Sequence, residues 1–285
     1  MIRLVTVVGH GQNLIEHFIQ HYEKYVDEIN IVVYVSDIAP NLEQEVKDRI
    51  QKYNNVKIFS VIIDRVFDWN KVTQLYNSVK YAYPNDWWVV ADIDELQLYP
   101  NDDLKSLVNE CDENNWDLVR GGFIDRIGVN GEFSEIKSNV SLWRQFPNAG
   151  FFRYPMSGAC PNKVCVMKGY IEITPGQHYA KINDQTTWRW QGWNHPLIAP
   201  YEMYSVQVHH FKWDSTAIER IKEVADVKKE YSFSEEYSKM YEELKKTDLR
   251  ININREEFMF EQKRNKGEFQ EYKQWNKLIK KIIAI

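Results

Sequence analysis

The first 125 residues alternate β-rich runs with helix-period stripes, and this alternation limits the fold more than any other feature of the chain. Residues 3–8, 29–35, 56–63, 87–91 and 118–124 are short runs rich in β-branched and aromatic side chains. Helical stripes separate them. Asn13 opens one that carries Leu14, Ile15, Phe18, Ile19 and Tyr22. Pro40-Asn41 opens a second, with Leu42, Val46 and Ile50 on one face. Val72, Leu75, Val79 and Tyr83 mark a third over 71–83, and Leu104, Leu107, Val108 and Cys111 a fourth after Pro100. A strand–helix order of this kind predicts an α/β fold with a mostly parallel central sheet and helices on both faces. The 87–91 run is apolar at consecutive positions, as a strand covered on both faces is.

The chain has 285 residues, 44% hydrophobic and 27% charged, which suits a globular protein with a core that needs no staples. Its net charge of −5 argues against a nucleic-acid partner, because a protein that neutralises many phosphates carries a basic surplus. Cys111, Cys160 and Cys165 form neither an even disulfide set nor a CxxC pair, so they read as reduced thiols. No stretch approaches the ~20 apolar residues of a membrane span, and the first residues lack a signal-peptide layout. The expected location is cytoplasmic. After residue 125 helical periodicity fades and Gly, Pro, Trp and Tyr become frequent, with short strand-like runs at 163–167, 171–173 and 205–208. From Ser215 the chain turns helical and charged. Ile218, Ile221 and Val224 form one stripe, and Tyr237, Met240, Tyr241 and Leu244 another. The last stripe, Trp275, Leu278, Ile279, Ile282 and Ile283, is flanked by Lys277, Lys280 and Lys281. It reads either as a peripheral contact with an anionic membrane or as a face packed on its own domain or a partner.

Open parallel sheets bind ligands beyond the carboxyl ends of their strands. Four polar clusters stand there: Gly9-His10-Gly11, Ser36-Asp37, Asp64-Arg65 and Asp92-Ile93-Asp94-Glu95. In an extended chain the side chains of Asp92 and Asp94 point the same way. Two neighbouring carboxylates repel unless a proton or a cation separates them. Hard oxygen donors suit Mg²⁺ or Mn²⁺, which commonly join one or two carboxylates to substrate phosphates. The alternative is an acidic turn that caps the following helix.

Residues 86–100 resemble the DxD segment of family-2-like glycosyltransferases, enzymes with the GT-A fold. Val8-Gly9-His10, the run Asn13-Leu14-Ile15-Glu16-His17-Phe18 and His21-Tyr22 resemble the first strand and helix of that family. Gly122-Phe123-Ile124-Asp125-Arg126, Asn162-Lys163-Val164, Gly176-Gln177-His178-Tyr179 and Val208-His209-His210-Phe211-Lys212-Trp213 resemble later segments, so the resemblance covers roughly residues 1–215. It implies a transferase of polysaccharide biosynthesis, taking a nucleotide-sugar donor and a glycan or lipid-linked acceptor, with Mn²⁺ or Mg²⁺ as cofactor. The catalytic domain would span 1–214, its nucleotide-sugar half about 1–125 and its acceptor half 126–214, with 215–285 a helical C-terminal extension. Asp94 would ligate the metal directly and Asp92 would lie near the ribose or the metal's water shell. Val8, Gly9, Ser36 and Asp37 would meet base and ribose. Arg65 and Lys71 would meet the diphosphate or remain solvated surface charges. His209 or His210 would complete the metal shell, with His178 a weaker candidate. If the reaction inverts, Asp125 is the leading base, and Glu95, Asp184 and Glu202 are rivals. Trp188, Arg189 and Trp190 belong to a Trp-rich run that would stack on acceptor sugars, or would fill a local core.

Two other functions fit parts of the pattern. A nucleotidyltransferase-like nucleotide-sugar enzyme also uses paired acids and Mg²⁺. It usually carries a Gly-rich basic loop after the first strand, where this chain has Gln12 and Asn13. A non-catalytic glycan-binding module would account for the Trp-rich run but would have no need of Asp92 and Asp94.

Overall fold

The computed structural model describes residues 1–150, 162–183, 185–186, 195–231 and 233–253. The chain divides into two compact units, 1–122 with 162–208, and 123–161 with 209–285.

The first unit is built on a parallel ladder. Strands β1 (Ile2–Val8), β2 (Glu28–Val35), β3 (Val56–Ile63) and β4 (Trp87–Val90) run side by side in the order β3-β2-β1-β4, all parallel. Helices α1 (Ile15–Tyr22), α2 (Leu42–Ile50) and α3 (Trp69–Tyr81) make the crossovers, as the sequence alternation requires. β1, β2 and β4 bury consecutive residues, so both faces of this sheet are covered. After β4 come β5 (Glu95–Leu98), α4 (Leu104–Asn114) and β6 (Leu118–Ile127). β6 does not pair with β4. An antiparallel strand supplied from later in the chain, β8 (Asn162–Lys168), lies between them and bonds to both. β5 has no counterpart in the sequence expectations. It is four residues long, and its alternation Glu95-Leu96-Gln97-Leu98 does not mark a half-buried strand, because Glu95 and Gln97 are buried beside Leu96. β12 (Val206–His210) lies between β6 and β5 in the strand order.

The buried stripe of α3 is turned from its expected position. Val72 and Val79 are buried as expected, but Leu75 is half-buried and Tyr83 exposed. Tyr76, Asn77 and Lys80 are buried instead. Each has a polar partner that makes burial tolerable. Asn77 exchanges two hydrogen bonds with the backbone of Ile173, at 3.0 and 2.9 Å, and Lys80 donates to the carbonyl of Ile171. These bonds fasten the start of the small sheet formed by β9 (Glu172–Ile173), β10 (Ala180–Ile182) and β11 (Gln185–Thr186).

In the second unit the end of β6 pairs antiparallel with β7 (Asn148–Gly150), which follows the short helix α5 (Leu142–Gln145). Trp143 and Phe146 pack edge-on to Phe211, at ring centroid distances of 5.4 and 5.9 Å. Helices α6 (Ala217–Asp226) and α7 (Ser234–Lys245) pack on each other through stripes that include Ile221, Val224, Met240 and Leu244. They belong to the same unit as 123–161. The final Trp/Leu/Ile stripe and the Trp188–Trp190 run lie outside the described residues. Among the described residues no helix is long and apolar enough to cross a membrane.

α1 is pinned to β5 by side chains. Tyr22 donates to the carbonyl of Glu95 (2.9 Å) and accepts from the N–H of Gln97 (2.9 Å), while His21 Nε2–H donates to the carbonyl of Gln97 (2.8 Å). Burial pushes the pKa of His21 down to about 4, against only a partial lift from that carbonyl. The unfolded chain takes up this proton near its ordinary value of 6.5, and the folded chain refuses it until about 4. Stability therefore falls as pH drops through that window. In urea titrations across it, His21→Gln should lose less stability than the wild type; an equal loss would assign the acid sensitivity elsewhere.

Candidate functional site

The carboxyl edge of the parallel ladder is tied together loop by loop. Gly9 follows β1, and a Cβ there would lie 2.5 Å from the ring of Phe67, which belongs to the β3–α3 loop. Gly11 has φ of +74° and stands against Ile93, whose methyl would be 3.2 Å from a Cβ. Only glycine takes that backbone without strain. The N–H of Asp37, after β2, donates to the carbonyl of Arg65, after β3 (3.3 Å). The four loops expected to carry ligand-binding residues thus form one edge.

β4 ends at Val90, and the N–H of Glu95 donates to the carbonyl of Asp92 (3.0 Å), closing a turn. Asp92 and Asp94 therefore stand on a turn between two strands, not on alternate positions of one extended strand. The helix-capping alternative also falls, because the next element is β5. Side chains from three other elements organise this turn. Tyr76 of α3 accepts from the N–H of Val7 (3.1 Å) and donates to Asp92 Oδ1 (2.7 Å). Burial first, and the Asp92 carboxylate next, hold its pKa well above 10, so the hydroxyl stays a donor. Gln177 Nε2 donates to the same oxygen (2.8 Å). Lys163 of β8 is 2% exposed and lies 2.8 Å from Oε1 of Glu95 and 3.6 Å from Oδ2 of Asp92. Burial pulls the lysine's pKa down, but the Glu95 and Asp92 charges outweigh it and keep the group above its ordinary value. Asp94 is buried, at 8% exposure.

The other expected donor-side residues lie on this edge with different degrees of engagement. Val8, Gly9 and Ser36 are buried, while Asp37, Arg65 and Lys71 are exposed. Ser36 Oγ is buried with no hydrogen-bond partner among the described residues. Lys71 pairs with Asp64, which also accepts from Tyr34 (3.3 Å).

The second unit holds Asp125, His209 and His210. Asp125 Oδ1 accepts from His210 Nδ1–H (2.8 Å) and from Trp213 Nε1–H (3.0 Å). Its side chain is 8% exposed. His209 is fully buried, and its Nδ1 accepts from Nε of Arg126 (2.9 Å), which leaves the neutral ring's proton on Nε2. Burial lowers the pKa of Arg126 to about 10. His178 Nδ1 is 2.8 Å from the carbonyl of Asn162. Of the rival bases, Glu95 is buried in its pair with Lys163; Asp184 lies outside the described residues, as does the side chain of Glu202. Among the described residues no group of three or more His, Cys, Asp or Glu side chains is gathered as a ready metal shell.

Sequence reasoning missed Tyr76, Gln177 and Lys163 as partners of Asp92. A signal existed for Lys163: a cation at the head of the run Val164-Cys165-Val166-Met167, in a strand that buries six of its seven residues.

No family model matches the chain, and no curated protein matches it. Among solved structures it is similar to a Bacillus anthracis protein described as a glucose-1-phosphate thymidylyltransferase in complex with a sucrose, at 12% identity, 59% of this chain, 72% of that one and a TM-score of 0.35. It is also similar to a 4-diphosphocytidyl-2C-methyl-D-erythritol synthase, at 16% identity, 59% of this chain, 75% of that one and a TM-score of 0.32. A third is S. aureus TarS, at 13% identity and a TM-score of 0.35, covering 79% of this chain but 40% of TarS.

Tyr76→Phe should leave the N–H of Val7 and one lone pair of Asp92 without their partner. The expected cost is about 1–3 kcal/mol in urea unfolding. A change within experimental error would mean that water replaces the hydroxyl.

Proposed function

We propose that this chain is a metal-dependent glycosyltransferase that takes a nucleotide-sugar donor. The observation that carries the reading is the acidic turn Asp92–Glu95 at the carboxyl edge of a parallel sheet, its first carboxylate already oriented by Tyr76 and Gln177. The donor chemistry fits a hard divalent cation. Asp92 and Asp94 offer carboxylate oxygens, and Mg²⁺ or Mn²⁺ commonly needs only one or two of these, with phosphates and water completing the shell. Such a cation, held by Asp94 with Asp92 beside it, would offset the charge that develops on the departing nucleoside diphosphate.

The chain's own groups do the rest. Val8, Gly9, Ser36 and Asp37 meet base and ribose, and the buried Ser36 hydroxyl has hydrogen-bonding capacity to offer. Arg65 and Lys71 bring positive charge to the diphosphate; Lys71 would exchange Asp64 for phosphate oxygens. In the second unit Asp125 takes the proton of the acceptor hydroxyl, with His210 and Trp213 fixing one carboxylate oxygen. The acceptor is a glycan or a lipid-linked sugar. His209 is committed to Arg126 through Nδ1.

Thermal shifts with UDP-, GDP-, CMP- and dTDP-sugars, each with and without Mn²⁺, test the donor side. One nucleotide should stabilise the protein in a manganese-dependent way, by about 2.7 kcal/mol at a hundredfold excess over Kd. Asp94→Asn should abolish the manganese-dependent part while melting normally alone. Asp125→Asn should keep that shift and lose turnover by about 100-fold or more. Manganese-independent shifts in every case, or full turnover in Asp94→Asn, would end the proposal.

A further inference from the structure

Glu95 is the least accessible acid of the turn, at 1% exposure, and it lies against an equally buried ammonium. Lys163 has three N–H donors. They are taken up by Glu95 Oε1 (2.8 Å), Gln177 Oε1 (2.9 Å) and the carbonyl of Gly176 (3.0 Å). Asp92 Oδ2, at 3.6 Å, is beyond a hydrogen bond but well within the ammonium's field. Gln177 completes a chain, accepting from Lys163 and donating to Asp92.

Charge explains why the arrangement matters. Asp92, Asp94 and Glu95 carry three formal negative charges within four residues. Lys163 cancels one. The remaining two match a single divalent cation. The lysine would also be a competitor: without Glu95, its charge has Asp92 as the nearest carboxylate, and a lysine bound to Asp92 opposes a metal there.

We propose that Glu95 is the internal counter-ion that keeps Lys163 off Asp92, and that the Glu95–Lys163 pair thereby sets the affinity of the acidic turn for a divalent cation. Glu95 is a positioning residue: it touches neither metal nor substrate. The inference rests on the reading that Asp92 and Asp94 hold the cation.

The test is manganese binding to the full-length protein without nucleotide, followed by the electron paramagnetic resonance of free Mn²⁺. Glu95→Gln keeps the shape and a hydrogen-bond acceptor but removes the charge. It should weaken manganese binding about 10–100-fold, the range seen when outer-shell partners of metal sites are lost. The double variant Glu95→Gln/Lys163→Met removes the cation as well and should return affinity close to wild type. A purely structural role for the pair predicts no such rescue. Replacing both partners of a buried ion pair is often neutral, so the double variant is also the one to use if Glu95→Gln does not fold. In that case near-wild-type manganese affinity of the double variant supports the inference, and a loss of an order of magnitude overturns it. Wild-type binding that Asp94→Asn abolishes and Glu95→Gln leaves unchanged would remove this inference alone. A wild type that takes up no manganese would remove both it and the functional reading.

Discussion

A buried ammonium at the end of β4 is the constraint on which the candidate site depends. Moving a lysine and a glutamate into the interior carries a desolvation cost of several kcal/mol per ion, and their attraction offsets it only when geometry is good and the remaining donors are satisfied. Here those conditions are met, with all three N–H donors of Lys163 engaged at 2.8–3.0 Å. The pair links β8 to the turn after β4, and β8 is the antiparallel strand that separates β4 from β6. Through its further bonds to Gly176 and Gln177, the same lysine also ties the segment between β9 and β10 to the acidic turn.

The parallel ladder was plain in the sequence because its physics is plain. β1, β2 and β4 are covered on both faces and so read as apolar runs with few interruptions, such as Thr6 and Asn30, and α1 and α2 present the stripes their spacing implies. The failures occur where buried polarity replaces hydrophobicity. Tyr76, Asn77 and Lys80 lie in the buried stripe of α3, and a pattern scored on apolar residues points to Leu75 and Tyr83 instead. β5 is hidden for the same reason, with Glu95 and Gln97 among its four residues. Strand order was legible only in part. Nothing local to 118–124 announces that a later strand will come between it and β4.

The candidate site was legible as residue types at strand ends, not as a geometry. Asp92 and Asp94 were found by position, but the turn that carries them differs from the extended chain that position suggested. Their organising partners come from residues 76, 163 and 177, far apart in sequence, and long-range polar contacts leave no periodic trace. For Asp125 the near neighbours in sequence were equally uninformative: its partners, His210 and Trp213, are more than eighty residues away.

α3 makes contact with two things at once. Through Tyr76 it holds Asp92, and through Asn77 and Lys80 it holds the segment 171–173 that leads to Gln177, the other group on Asp92. The carboxylate is thereby clamped from two sides by parts that are themselves bolted to one rigid rod. Its orientation was fixed when the chain folded. A molecule arriving at this edge finds it preset, and the entropy of ordering it is charged to folding rather than to association.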